Sequence, residues 1–222
     1  MRDHVAAFAR EAATVLPLAS PVVEIGARPA EGQEDLFDAR ALFSGLDYIG
    51  CDVQPGARVD RIEDVQALTF EDESVGGIIA LDTLEHVADP IRAVQEMWRV
   101  LRPGGVVVLT SVMFFPIHAH PWDYWRFTPE GFSLLLTPFE QQLVLAYGWP
   151  EMPESVLGIG VKGPTPVLDV AAFPETSAHL ARWGEDRPVD FGPIRMGVRE
   201  LWGHTLRATS VAARRRLGRD RV

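Results

Sequence analysis

Apolar positions in this chain follow two alternating rhythms from Val22 to about Gly163. Short, mostly apolar runs such as VVEI, GGIIAL and VVVLTSV have the length and branched side chains of buried strands. Between them lie stretches with helical spacing. HVAAFAREAATVL, closed off by Pro17 and Pro21, predicts a first helix, and EDLFDARALF predicts another after the turn at Gly26. DYIGCDV reads as the second strand, ending at Asp52, and GGIIALD as a buried strand ending at Asp82. Between these two, Asp64 and Val65 precede a short apolar segment.

The next helix announces its start. Asp89 is placed to cap it and Pro90 fits the first turn, where no backbone donor is missed. Ile91, Val94, Met97 or Trp98, and Leu101 make the apolar stripe, and Pro103-Gly104-Gly105 stops the helix before VVVLTSV. An aromatic and polar loop, Phe114 to Phe127, follows; then Thr128, Pro129 and Glu130 restart a helix in TPEGFSLLL. QQLVLAYG and SVLGIGVKG read as a closing antiparallel pair. The alternation favours an α/β domain over residues 1–163, with a mostly parallel sheet and helices on both faces. Residues 164–222 read as an irregular extension packed on that domain, ending in a basic helix with Val198, Leu201, Trp202, Thr205 and Leu206 on one face.

Composition narrows the function. A net charge of −10 over 222 residues argues against nucleic acid as the partner, because duplex binding needs basic groups that neutralise phosphates. The charge is uneven: from Arg195 onward the chain carries +6, and the remainder −16. That tail is either a solvated helix end or a contact for an anionic surface or partner. The single cysteine, Cys51, excludes an internal disulfide framework and sits in an apolar stretch, where it packs. The longest apolar runs are too short to cross a bilayer, and the start of the chain lacks the pattern of an export signal, so a cytoplasmic bacterial protein is expected, with a homodimer left open.

The stretch VVEIGARPAEG has the strand and glycine of a nucleotide-binding turn, with Arg28 and Ala30 where further glycines would stand. Asp52, ending the next strand, is placed to accept hydrogen bonds from two ribose hydroxyls. Taken with Asp64-Val65, LDTLEHV from Leu81 to Val87, and RVLRPGG from Arg99 to Gly105, the chain resembles the class I S-adenosylmethionine-dependent methyltransferases over about residues 20–163. The resemblance implies a Rossmann-like, doubly wound seven-stranded sheet and S-adenosylmethionine as cofactor. It assigns Glu24 and Gly26 to the methionine end, Asp52 to the ribose, Asp64 and the backbone of Val65 to the adenine, and Asp82 to the sulfonium and amino-acid portion. Arg28 either reaches the cofactor's carboxylate or points to solvent. The chain departs from the family at Arg28 and Ala30, and at Gly76, where an aspartate commonly opens the fourth strand. S-adenosylmethionine has no pyrophosphate to seat on a helix N-terminus, so missing glycines matter less than they would for NAD.

Chemistry beyond the cofactor gathers in FFPIHAHPWDYWRFTPEGF, directly after the fifth strand. His120 or His118 is the expected general base, oriented by Asp123, since imidazole matches removal of a hydroxyl proton near neutral pH. Trp122, Tyr124 and Trp125 offer flat faces to an acceptor or pack as a lid. Arg126 grips an acidic acceptor or binds Asp123 or a carbonyl within the loop. His118, His120 and Asp123 also suggest a metal corner, but with no fourth ligand evident no metal is assigned. Glu85 and His86 are read as organising their own loop. The expected function is methyl transfer to a small-molecule acceptor, at a hydroxyl of a sugar or natural product. The alternative is a catalytically silent cofactor-binding subunit or regulator, and a nicotinamide-dependent oxidoreductase is disfavoured by the missing G-x-G-x-x-G.

Overall fold

The computed structural model describes residues 2–29, 37–118, 122–164 and 168–181, together with the backbone of two short strands at 188–191 and 194–197. Seven strands form one sheet: β1 (Val22–Ile25), β2 (Tyr48–Asp52), β3 (Arg61–Ile62), β4 (Val75–Leu81), β5 (Leu101–Val112), β6 (Gln141–Trp149) and β7 (Met152–Val161). Their order is β3-β2-β1-β4-β5-β7-β6, with every pairing parallel except those of β7. This is the doubly wound, mostly parallel sheet with one closing antiparallel strand that the periodicity and the resemblance imply. Among the described residues four α-helices accompany it: α1 (Asp3–Val15), α2 (Pro90–Val100), α3 (Pro129–Leu135) and α4 (Pro174–Ala181).

Strand residues alternate between two cores. Val107 and Leu109 face α2 and α3, meeting Val94, Met97 and Phe132, whereas Val106 and Val108 face α1, meeting Val5, Phe8 and Ala12. Because both faces are covered, all seven residues of β4 are buried, which is why its sequence is apolar without alternation. Asp89 accepts from the Arg92 amide and Thr128 from the Gly131 amide, so both predicted caps form.

Some local expectations fail for identifiable reasons. In α2 the buried face is Ala93, Val94, Met97 and Val100, and Ile91 is 57% exposed, one step round the helix from that stripe. Leu101 is buried as the first residue of β5 instead of ending the helix. Of EDLFDARALF, only Ala39–Phe43 is helical, as a 3-10 turn capped by Asp38, while residues 34–36 lie outside the described set. Gly76 has no room for the family's aspartate: a Cβ there would sit 2.0 Å from the Ala19 carbonyl oxygen and 2.2 Å from Arg102 Nη2.

One compact unit runs from Met1 to Leu180, beyond the expected boundary at residue 163. Phe173 packs tilted against Phe8 with ring centroids 5.9 Å apart, and Glu11 accepts hydrogen bonds from the Glu175 and Thr176 amides at the start of α4. A second unit, Ala181–Val222, contains the antiparallel pair Pro188–Phe191 and Ile194–Gly197; the terminal helix read from Val198 onward lies outside the described residues. Among the described residues no helix is long and apolar enough to cross a membrane. Cys51 is buried in the sheet, and burial pushes its thiol up to about 12.

His4 on α1 stacks at 3.6 Å on Tyr147 and meets Ser155 Oγ at 2.7 Å. Arg2 donates to the same hydroxyl, which keeps a cation beside the ring. Burial, with the Arg2 and His179 charges, lowers its pKa to about 3. The unfolded chain, with an ordinary histidine near 6.5, therefore binds a proton first as pH falls; the stability is complete above that value and is lost between it and about 3. Denaturant titrations should show the wild type losing on the order of 2 kcal/mol more than His4→Gln between about pH 7 and pH 5. Identical slopes in the two proteins would mean that His4 is not held neutral.

Candidate active site

β1 and β4 are neighbours from which the chain winds in opposite directions, and ligands in open α/β sheets bind beyond the carboxyl ends of strands at such a point. A cleft of about 1020 Å³ opens there. Glu24 and Gly26 line it from β1, Asp52 from β2, Asp64 and Val65 from beyond β3, and Asp82 and Glu85 from beyond β4. His118, Trp122 and Tyr124 reach it from the loop after β5.

The turn after β1 requires its glycine. Gly26 has φ +81°, and a Cβ would stand 2.5 Å from Thr83 Oγ1, which lies 3.2 Å from the Ile25 carbonyl and 3.1 Å from that of Leu81. Thr83 thus ties the ends of β1 and β4 where the cleft begins. Arg28 is not in the left-handed region; its amide donates to Asp52 Oδ2 at 3.4 Å and its Nη1 to Gln54 Oε1 at 2.9 Å. The guanidinium is therefore held on Gln54, beside Asp52.

Asp52 Oδ1 accepts from the Gln54 amide at 2.9 Å. With one backbone donor on each oxygen, about two of the carboxylate's four acceptor sites stay open to the cleft. Glu24 takes the Tyr48 hydroxyl at 2.8 Å; burial raises its pKa, against the pull of that bond. Asp64 is exposed and turns its Oδ1 onto the Gln66 amide, while Val65 is buried. Asp82, at φ +51°, accepts from Thr110 Oγ1 at 2.9 Å and from Arg2 Nη2 at 2.8 Å. Arg2 also lies 5.2 Å from the centre of the Phe115 ring and lines the cleft. No local motif marks Arg2; it arrives because α1 packs across β5.

In the loop after β5, Asp123 Oδ2 accepts from the His118 amide at 2.7 Å and lies 3.2 Å from His118 Nδ1. Its two oxygens are gripped by Arg126 Nη1 and Nη2 at 2.5 and 2.8 Å, and these bonds hold the carboxyl well below its usual range. The remaining Arg126 donors go to the carbonyls of Phe115, Pro116 and Trp125. All five guanidinium donors are thus spent inside the loop, so of the two roles expected for Arg126 the structure has the internal clamp and not the acceptor grip. Trp125 donates Nε1 to the Val87 carbonyl at 2.9 Å and stands outside the cleft lining. Asp123 likewise stands behind His118 and not on the cleft wall. His120 lies outside the described residues.

Glu85 and His86 do organise the loop: the Glu85 carbonyl accepts from the Tyr124 and Trp125 amides, and His86 Nδ1 lies 2.5 Å from the Trp122 carbonyl. Their side chains also face the cleft, which the sequence reading missed. Glu85 is fully buried, with Oε2 accepting from Ser111 Oγ at 2.6 Å and Oε1 without a partner. Burial, reinforced by the Asp82 carboxylate, raises its pKa above the usual carboxylate range. The available signal was positional, since LEHV directly follows the carboxyl end of a central strand.

Residues 26–109 match a family described as methyltransferase domain. An uncharacterized methyltransferase of Mycobacterium sp. (strain KMS) is 32% identical over 111 residues, 45% of this chain and 42% of that protein. A probable S-adenosylmethionine-dependent methyltransferase of Mycolicibacterium smegmatis is 32% identical over 95 residues, 40% of this chain and 37% of that protein. The match thus spans less than half the length of these curated relatives. Among solved structures, the 1,6-didemethyltoxoflavin-N1-methyltransferase of Burkholderia thailandensis, with bound 1,6-didemethyltoxoflavin and S-adenosylhomocysteine, superposes with a TM-score of 0.52 at 19% identity, over 73% of this chain and 79% of that one. The middle of the chain therefore matches a methyltransferase domain in sequence, and the sheet that carries it has the fold of a solved methyltransferase.

Proposed function

We propose that the protein binds S-adenosylmethionine and transfers its methyl group to a small-molecule acceptor, at a hydroxyl of a sugar or natural product. The observation that carries this reading is that Asp52, with acceptor sites to spare, and His118 line one cleft at the switch point of the sheet. In this reading Asp52 takes the ribose hydroxyls, Asp64 and Val65 flank the adenine, and Glu24 and Gly26 meet the methionine end. Asp82, at the end of β4, lies beside the sulfonium and next to the loop that brings His118. The order β2, β1, β4 then lays the cofactor across the strand ends with its methyl group toward that loop.

Methyl transfer from a sulfonium is an in-line displacement, so holding the acceptor oxygen behind the methyl carbon is the protein's main task; such positioning is worth up to about 7–11 kcal/mol. Trp122 and Tyr124, both exposed at the cleft, offer flat faces for the acceptor. The acceptor hydroxyl would pass its proton to water in the cleft beside His118, its oxygen would form the new C–O bond as the sulfonium C–S bond breaks, and neutral S-adenosylhomocysteine would leave. The silent-subunit reading is favoured by no observation among the described residues, because His118 shares the cofactor cleft.

Calorimetric titration with S-adenosylmethionine, S-adenosylhomocysteine and NAD tests the proposal. Micromolar binding of the first two, without NAD binding, is the expected result. Binding of NAD alone, or of none of the three, would overturn it.

A further inference from the structure

Three side chains at the acceptor end of the cleft are arranged as ligands. A carboxylate oxygen of Glu85 and a ring nitrogen each from His86 and His118 all lie within 4.8 Å of one another. Ligand atoms about 2.0–2.2 Å from one cation stand roughly 3–4 Å apart, so a small rotation of the two partly exposed rings closes the set. The rings are held as metal-binding imidazoles are: Nδ1 of His86 faces the Trp122 carbonyl at 2.5 Å, and Nδ1 of His118 faces Asp123 Oδ2 and the Pro116 carbonyl, both at 3.2 Å. Outer-shell oxygens in such positions orient metal-binding imidazoles and fix their tautomer.

The carboxylate supplies an independent observation. Glu85 is fully buried, yet its Oε1 has no hydrogen-bond partner. A buried unpaired acceptor costs about 1–3 kcal/mol, and the Asp82 carboxylate nearby adds repulsion. A divalent cation held by Oε1 would remove both costs. Asp123 is not the third ligand that the sequence suggested, because Arg126 occupies its oxygens.

We propose that Glu85, His86 and His118 bind one divalent transition-metal cation at the acceptor end of the cleft. Two imidazoles and a carboxylate favour zinc, manganese or iron(II) over magnesium or calcium. Resting on the methyltransferase reading, the cation has a function. The acceptor hydroxyl binds it as a further ligand, its pKa falls, and its proton passes to water in the open cleft. The metal-held alkoxide takes the methyl group and S-adenosylhomocysteine departs, with His118 acting as a ligand and not as a free base.

The test uses tag-free full-length protein stripped with a chelator, titrated with Zn²⁺ and Mn²⁺ alone, and in parallel with S-adenosylhomocysteine. One equivalent of metal should bind. Glu85→Gln, His86→Ala and His118→Ala should each weaken it at least tenfold, Asp123→Asn should weaken it less, and His179→Ala should leave it unchanged. Circular dichroism identifies any variant that misfolds; His118 lies in a surface loop, so His118→Ala keeps the test decisive. Less than one equivalent in the wild type, or wild-type affinity in folded His86→Ala and His118→Ala, would overturn the metal site. Binding of S-adenosylhomocysteine without metal would sink the cation and keep the methyltransferase; metal without S-adenosylhomocysteine would do the reverse.

Discussion

Asp52→Ala should bind S-adenosylhomocysteine about 100-fold more weakly than the wild type, with the fold intact. The carboxylate ends β2, and its oxygens each take one backbone amide, from Gln54 and Arg28, leaving capacity for two more donors. Two ribose hydroxyls would fill that capacity. Hydrogen bonds to a charged acceptor contribute about 1.5–3 kcal/mol each, so losing both gives about 3 kcal/mol or more, or two decades in Kd. The amides freed by the substitution face solvent at the rim, where water replaces the side chain. Asp52→Asn separates this from a structural role: one amide oxygen can still support the turn, but the NH2 group cannot accept from the second hydroxyl. The Asn variant should keep wild-type thermal stability and lose most of the affinity. If both variants bound S-adenosylhomocysteine as the wild type does, the ribose would lie elsewhere and the cofactor orientation proposed here would fall.

Much of the sheet could be read in advance because its determinants are local. A fully apolar seven-residue run can only be a central strand if both faces are covered, and β4 is such a strand. Asp89 and Thr128 cap their helices through amides three residues on, which sequence alone displays. What escaped was non-local. β3 is two residues held by pairing with β2, with no periodicity of its own. Ile91 is as apolar as the residues beside it, and only packing decides that it stays outside.

The candidate site divides along the same line. Glu24, Gly26, Asp52 and Asp82 could be placed because strand ends fix their positions. Arg2 could not, since its partners Asp82 and Ser155 are 80 and 153 residues away in sequence. Glu85 was read as structural because its backbone does hold the loop; that its carboxyl is also buried beside the cleft depends on β5 supplying Ser111. Arg126 was read as gripping an acidic acceptor or binding Asp123 or a carbonyl within the loop, and only the folded loop shows Asp123 and three carbonyls taking its donors.

Arg126→Ala should lower stability by about 2 kcal/mol and turnover at least tenfold, while leaving S-adenosylhomocysteine affinity near wild type. Asp123 has a side chain only 3% exposed, and Arg126 meets both its oxygens. Removing one partner of a buried pair costs about 3–5 kcal/mol because the other charge is left uncompensated. Arg126 itself is 26% exposed, so water enters the vacated space and the cost falls below that range, to about 2 kcal/mol. The loss reaches the chemistry through His118, whose amide and ring both lean on Asp123. Arg126→Lys should not rescue turnover, since an ammonium cannot span two carboxylate oxygens and the Phe115, Pro116 and Trp125 carbonyls at once. An acceptor-gripping arginine would behave differently: alanine would raise KM with stability unchanged, and lysine would restore part of the binding. Thermal melts with initial-rate kinetics on the three proteins separate the cases, and a rise in KM at constant Tm would show that Arg126 faces the acceptor after all.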